Sequence, residues 1–167
     1  MYARNAGHLN SGIPNEYGYL RIARQPASAH RSDRMWVHSM KSVVFYLGLA
    51  LLFTHELDSM PNHEWRVMPI LNSLSDSTGK AVFLLAHVPI FAVVVAYIAS
   101  LDQKIRARAR GIFCGFLVAH TFLHYFFSGN AAYEFTSAIS LALIYGAGLC
   151  GALYFLGGYI SRHEDPV

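Results

Sequence analysis

Charge is scarce in this chain. Asp, Glu, Lys and Arg together make up 14% of 167 residues, where soluble domains average about a quarter. A sequence this poor in charge is hard to keep soluble as a water-facing bundle. Cysteine is scarcer still. The two present, Cys114 and Cys150, lie inside apolar runs without CxxC spacing. That excludes a disulfide framework and a thiolate zinc site, and leaves both as small packing residues. No secretory signal is expected, because Met1 to Arg34 contains no apolar core segment.

What the chain has instead is apolar length. Hydrophobic residues account for 54% of it and aromatics for 14%. The mean hydropathy of +0.31 understates this, since a polar first fifth dilutes it. Met1 to Arg34 is rich in Gly, Ser, Asn, Arg and Pro without apolar periodicity, and is expected to be a disordered basic tail. Met35 and Met40 lie just before the first apolar run, and either is an alternative start to Met1. A four-helix domain is expected over 35–160, with a second short tail at 161–167.

Four runs read as membrane spans: His38 to Leu57, Ala81 to Leu101, Gly111 to Phe127 and Phe135 to Ile160. A span needs roughly 17–25 mostly apolar residues. The third lies at the lower limit and is expected to thin the bilayer locally. Pro89 removes a backbone donor inside the second and is expected to kink it. The alternative is a soluble bundle, which needs a polar face on each helix. The stretch PIFAVVVAYI from Pro89 to Ile98 has no charge on any face. The expected fold class is therefore all-α: a polytopic four-helix transmembrane bundle.

The net charge of +3 and pI near 9.0 raise the question of nucleic acid. The basic residues answer it, because they sit in the flanks and in one short loop, where topology explains them. Eleven of the thirteen fall in the N-terminal region through Lys41, in the loop Lys104 to Arg110, and at Arg162. Arg66 and Lys80 are the other two. The positive side is cytoplasmic. Both termini are then inside, in a bacterial-type inner membrane, and the loops Asp58 to Lys80 and Ser128 to Glu134 are outside. The bilayer is the expected partner, with no nucleic acid.

The first outer loop carries Trp65, Met68, Ile70, Leu71 and Leu74, enough for a short interfacial helix that Pro69 splits in two. It reads as a lid over the spans or as a simple connector. Trp65 suits the headgroup level. Small residues recur four apart: Ala138, Ala142 and Gly146, then Ala147 and Gly151, and Gly111 with Gly115. Such spacing permits close helix approach, within the chain first and in a homo-oligomer second.

The ionisable residues inside these spans are costly at membrane depth and point to a site. His87 lies roughly 10 Å below the outer end of its span at about 1.5 Å per residue, and His120 lies at a similar depth. His124 is one turn nearer the outside and shares a face with His120. His55 and Asp58 share a face at the outer end of the first span. Glu56 lies beside them, and Glu134 opens the fourth. His63 and Glu64 in the outer loop can join from above. No comparable His or carboxylate lies in the inner half of any span.

This is the donor set of a transition-metal site, zinc or iron, since neutral imidazole and carboxylate suit such ions. Glu and His on facing bundle helices recur in two-metal centres. The metal ligands are expected to be His55, Asp58, His87, His120 and His124, with Glu56 and Glu134 in the catalytic role of general base. HTFLH is not the HExxH zincin pattern, so the metal is not fixed by motif. Each residue also has a plainer reading. A single His in a span can bond a neighbouring hydroxyl or carbonyl. His55, Glu56 and Asp58 can mark the water interface, and His124 can belong to an aromatic belt.

Four functions are open on this reading: a metal-dependent protein, possible enzyme, on a lipid or other apolar substrate; a membrane haem protein with histidine axial ligands; a proton or metal carrier; or an accessory subunit without chemistry. The segments THELDSM, HEWRVMPIL, AHVPIF, AHTFLHYFF and YEF resemble a bacterial group of small uncharacterised four-span membrane proteins. That group has a His-Glu or His-x-x-acid motif ending the first helix. The resemblance runs from Ser42 to Leu156. It implies a membrane location and a role for the His and Glu positions, and it implies no reaction.

Overall fold

A computed structural model describes residues 27–163, with side chains over 39–159. Most of the expected N-terminal tail and the last four residues lie outside the described residues. The described chain is all helical: four long helices and two short 3-10 turns, with no strand. Helix α1 spans Ala27–Ser59, α2 Asp76–Ile98, α3 Gln103–Phe127 and α4 Ala138–His163. α1 thus begins eleven residues before the expected first span, inside the stretch read as tail.

Local chemistry sets the helix starts. Ser75 caps α2 by accepting from the Thr78 N–H, and Asp102 caps α3 by accepting from Lys104 and Ile105. Each short polar side chain satisfies donors that the first helical turn leaves unpaired. Ser137 does the same before α4, accepting from the Ser140 N–H at 3.0 Å. α2 runs unbroken through Pro89.

Three helices are long and apolar enough to cross a membrane: Ser39–Ser59 within α1, Asp76–Ile98, and Ala138–Tyr159 within α4. α3 falls outside that group because its first two turns carry four cations and its last two carry His120 and His124. Its outer face is nonetheless apolar, with Ile112, Phe122, Tyr125 and Phe126 exposed. α2 is the most hydrophobic helix and the least covered, with a mean hydropathy of 2.5. Leu84, Leu85, Val88, Ile90, Val93 and Val95 all stand exposed around it. A continuous apolar surface of this kind suits lipid better than water.

α1 packs along α4, and α4 along α3. Their shared core holds Phe45, Leu52, Phe113, Cys114, Leu117 and Tyr154. Both cysteines are free and buried there, as their apolar setting implies. Of the small residues, Ala147 and Gly151 are buried within the chain, while Ala138 and Ala142 are exposed. A Cβ on Gly151 would stand 2.5 Å from the Cys114 carbonyl oxygen, so only glycine lets α4 come this close to α3. Gly111, by contrast, has nothing within 4 Å of where a Cβ would be. α2 lies at the side, against α3 and the outer loop. Between α1, α2 and α3 this leaves a cavity of about 840 Å³, walled by Leu52, Phe53, Val67, Phe83, Phe91 and Phe113 among others.

The outer loop folds as two 3-10 turns, Glu64–Arg66 and Leu71–Ser73, on either side of Pro69. The loop is a lid: Val67, Met68 and Leu71 line the cavity from above. Trp65 is tucked under the lid. It is 2% exposed, and its indole N–H donates to Asp76 Oδ1 at 3.0 Å. The ring lies where a Cβ on Gly79 would meet it at 3.0 Å, so the lid is pinned to the first turn of α2.

Candidate metal centre

Four side chains converge beneath the lid. His55 comes from the last turns of α1, His120 and His124 from adjacent turns of α3, and Glu64 from the first 3-10 turn. All four are buried, and one donor atom from each lies within 4.8 Å of the others. The imidazoles meet edge to face, with ring centroids 4.9 Å apart for His55–His120, 4.8 Å for His55–His124 and 4.6 Å for His120–His124. Phe135 closes the side, 5.2 Å from the His55 ring and 4.9 Å from that of His124.

The backbone explains how Glu64 gets there. His63 adopts a left-handed conformation, φ 49° and ψ 45°, the sole non-glycine with positive φ among the described residues. That conformation costs free energy for a side-chain-bearing residue. It turns the chain so that Glu64 points down into the histidines. His63 itself reaches across to Glu134, with Nδ1 to Oε2 at 2.9 Å.

The carboxylate of Glu64 straddles two imidazoles. Oε2 lies 3.6 Å from His55 Nε2, and Oε1 lies 3.5 Å from His124 Nε2. These distances are long for hydrogen bonds. Both nitrogens of His55, Nδ1 of His120 and Oε2 of Glu64 are buried with no hydrogen-bond partner. Each such atom costs about 1–3 kcal/mol when left unpaired. An ion held at about 2.0–2.2 Å from nitrogen and oxygen donors would place them about 3.3–3.6 Å apart. A cation here would accept the lone pairs and offset the charge of Glu64, so the residues fit a metal.

Support around the cluster is also in place. Tyr133 Oη lies 3.1 Å from His124 Nδ1, an outer partner that fixes a ligating ring and leaves Nε2 free for an ion. Burial pushes the Tyr133 phenol up to about 12, so it stays protonated in any ordinary solution.

The chain belongs to DUF6713, a family of unknown function, whose model matches residues 41–160. No curated protein and no solved structure is similar to it. The family match covers nearly the stretch of the resemblance drawn from the sequence, and it states neither a reaction nor a source organism.

Of the residues read from the sequence as ligands, the structure brings His55, His120 and His124 together. His87 stands apart from that group. Its Nε2 lies 3.0 Å from Glu56 Oε2, and its Nδ1 lies 2.7 Å from the Phe83 carbonyl oxygen one turn back. Phe83 and Phe91 hold the ring, with centroids 4.5 and 5.3 Å away. Asp58 is half-buried outside the cluster, with Oδ2 unpartnered. Glu134 faces outward, bonded to His63 and to Arg66 Nη1 at 3.2 Å. The carboxylate that does join the cluster is Glu64. The sequence signals it only as the second of three His-Glu pairs, in the outer loop above the spans.

The centre opens onto the cavity. Glu64, His120 and His124 line its outer end, together with Glu56 and His87. The remaining wall is almost wholly apolar down to Arg108 near the opposite end. One side of the cluster is thus sealed by the bundle, and the other faces a space shaped for an apolar chain.

Proposed function

We propose that this protein is a metal-dependent membrane protein that acts on a lipid or other apolar molecule held in the cavity. Its ion, zinc or iron, is bound by His55, His120, His124 and Glu64. The observation that supports this most is the convergence of three imidazoles and a carboxylate, buried and otherwise unpartnered, at the mouth of an apolar cavity. Three histidines with an open fourth position, or with a carboxylate that can leave it, form a catalytic donor set. A bound ion would supply Lewis acidity and a water activated near neutral pH.

The chain's own residues would do the rest. The cavity wall excludes water and orients an apolar chain with one end at the cluster. Glu64 can ligate or take a proton. Glu56 and His87 hold a proton beside them. The Phe83 carbonyl can only accept, so His87 Nδ1 carries a hydrogen. The 3.0 Å contact between Nε2 and Glu56 then needs one more proton, on the imidazole or on the carboxyl. That makes the pair a proton donor positioned at the cavity rather than a ligand.

The mixed packing of the cluster favours a small ion over haem. The ring centroids leave no flat slot between any two imidazoles for a macrocycle. A carrier function is served less well, because a long apolar stretch of wall separates the cluster from Arg108. The membrane placement we propose has four crossings, α3 included, both termini cytoplasmic, and the centre in the outer leaflet of a bacterial-type inner membrane. The basic residues read as a loop from the sequence, Lys104 to Arg110, form the first two turns of α3, and their charge supports this placement.

The test is elemental analysis of the full-length protein purified in mild detergent without chelators. About one equivalent of zinc or iron is expected. Less than about a tenth of an equivalent of any metal overturns the proposal.

A further inference from the structure

At the opposite end of the bundle from the metal centre, a second and smaller pocket opens between α1, α3 and α4. Its volume is about 220 Å³, and its lining includes Lys41, Ser42, Gln103, Arg106, Arg110 and Tyr154. Three of these are cations, and none is acidic. Among the described residues, none of the three cations forms an ion pair with a carboxylate.

The cations are held in place by aromatic rings and by the backbone. Lys41 Nζ lies 4.4 Å over the Tyr154 ring. The Arg110 guanidinium stacks 4.9 Å from Phe45 and 5.2 Å from Tyr46, and its Nη2 donates to the Tyr46 hydroxyl at 2.9 Å. Arg106 Nη1 donates to the Ser100 carbonyl at 2.7 Å. Arg110 Nε is buried without a partner. Positive charges fixed this close repel one another and ask for an anion. An anionic ligand in the pocket would neutralise the group. The remaining lining groups, a serine hydroxyl, an amide and a phenol, can all donate as well.

The pocket lies beside the basic first two turns of α3, which is headgroup depth on the proposed placement. Basic pockets between membrane helices hold anionic lipid headgroups. We propose that Lys41, Arg106 and Arg110 bind the phosphate of an anionic phospholipid headgroup, with the acyl chains running up the exposed apolar helix faces. The ligand is a bound lipid that braces α1 against α3, distinct from any substrate in the cavity above. The proposal does not depend on the metal centre.

Native mass spectrometry and thermal unfolding of the full-length protein can test it. The probes are phosphatidylglycerol, phosphatidylcholine and inorganic phosphate at matched concentration. Phosphatidylglycerol is expected to be retained and to raise the unfolding temperature, and the other two to do neither. Lys41→Gln and Arg106→Gln are each expected to weaken phosphatidylglycerol binding about fivefold. Lys104→Gln removes the same charge from the same end of the bundle but not from the pocket, and is expected to bind as the native protein does. Arg110→Lys keeps the charge and loses Nε, and is expected to bind more weakly while folding normally. Equal loss in Lys104→Gln and Lys41→Gln would show general surface attraction and overturn the site. Retention of phosphatidylcholine as strongly as phosphatidylglycerol would also overturn it. Protection by inorganic phosphate alone would overturn the lipid as ligand.

Discussion

His63 Nδ1 lies 2.9 Å from Glu134 Oε2, joining residues 71 positions apart. This contact ties the lid to the connection between α3 and α4. It also holds His63 in the left-handed turn that aims Glu64 at the histidines. Two neighbouring residues thus face opposite ways, one clamping and one entering the centre.

The clamp predicts an acid-sensitive lid. His63 first, and then Arg66, hold the Glu134 carboxyl below its ordinary value of 4.5. A carboxyl depressed in the folded state stabilises it fully above that ordinary value. The contribution is lost as pH falls through the lower folded value. Both partners are exposed, so the effect on overall stability is expected to be small. The effect on metal release is expected to be larger, since the clamp positions Glu64. Metal dissociation followed from neutral pH down to about 3 should accelerate on the acid side in the native protein. Glu134→Gln should release metal faster at neutral pH and show a flatter acid profile. An unchanged release rate in that variant would mean that the lid is held by Trp65 and Asp76 alone.

The cluster predicts a sharp division among the nine histidines. His55→Ala, His120→Ala and His124→Ala should each fall from about one bound equivalent to under about a tenth, as expected when one of few ligands is removed. Tyr133→Phe should bind metal about 10–100-fold more weakly through loss of the outer partner. A variant of any one of the three histidines that keeps full occupancy would remove that residue from the centre.

Much of this was legible in the sequence, and the reasons are physical. Apolar length gives the helices, and depth along them gives the level of the polar residues. The four-residue spacing of His120 and His124 puts them on one face, and the structure keeps them there. His87 has the right depth, but depth does not say which way a side helix is turned. Its ring is already occupied by its own helix at the Phe83 carbonyl. The choice of Glu64 over Glu134 depends on a left-handed histidine, and nothing in the residue type announces one. The burial of Trp65 could not be read from its type either: it depends on Gly79, which leaves room for the ring beneath the lid.

Gly151→Ala is expected to destabilise the bundle by about 1–3 kcal/mol, the usual cost of overpacking. The added carbon would meet the Cys114 carbonyl at 2.5 Å, and a backbone atom cannot move aside as a side chain can. α3 would shift, and its two histidines with it, so bound metal should fall as well. Gly111→Ala, which meets nothing within 4 Å, should change neither. Thermal unfolding in detergent beside metal analysis separates the two. Equal effects from both variants would show that helix propensity, not close approach, governs these positions.

The topology predicts that a cysteine placed at Ser128 is labelled by an impermeant reagent from outside intact cells. One placed at Ala107 should be protected until the membrane is opened. The eleven-to-two distribution of basic residues is the motive. The reverse pattern would put the metal centre on the cytoplasmic side.

Glu56 and His87 provide the finest distinction, because ligand and proton donor differ in what their loss does. If His87 were a ligand, His87→Gln would empty the site. The structure instead engages Nδ1 with the Phe83 carbonyl at 2.7 Å and Nε2 with Glu56 at 3.0 Å, leaving no lone pair for an ion. His87→Gln and Glu56→Gln are therefore expected to keep about one equivalent of metal, in contrast to His120→Ala. Each should remove the proton shared by the pair. Infrared difference spectra of the native protein minus either variant should contain both imidazole and carboxyl bands, because the two groups share one hydrogen bond. Once a substrate is known, turnover should fall by about 10²–10⁴, the usual contribution of a positioned acid or base. Loss of metal from His87→Gln to the level seen in His120→Ala would return His87 to the ligand set and end the proton-donor role.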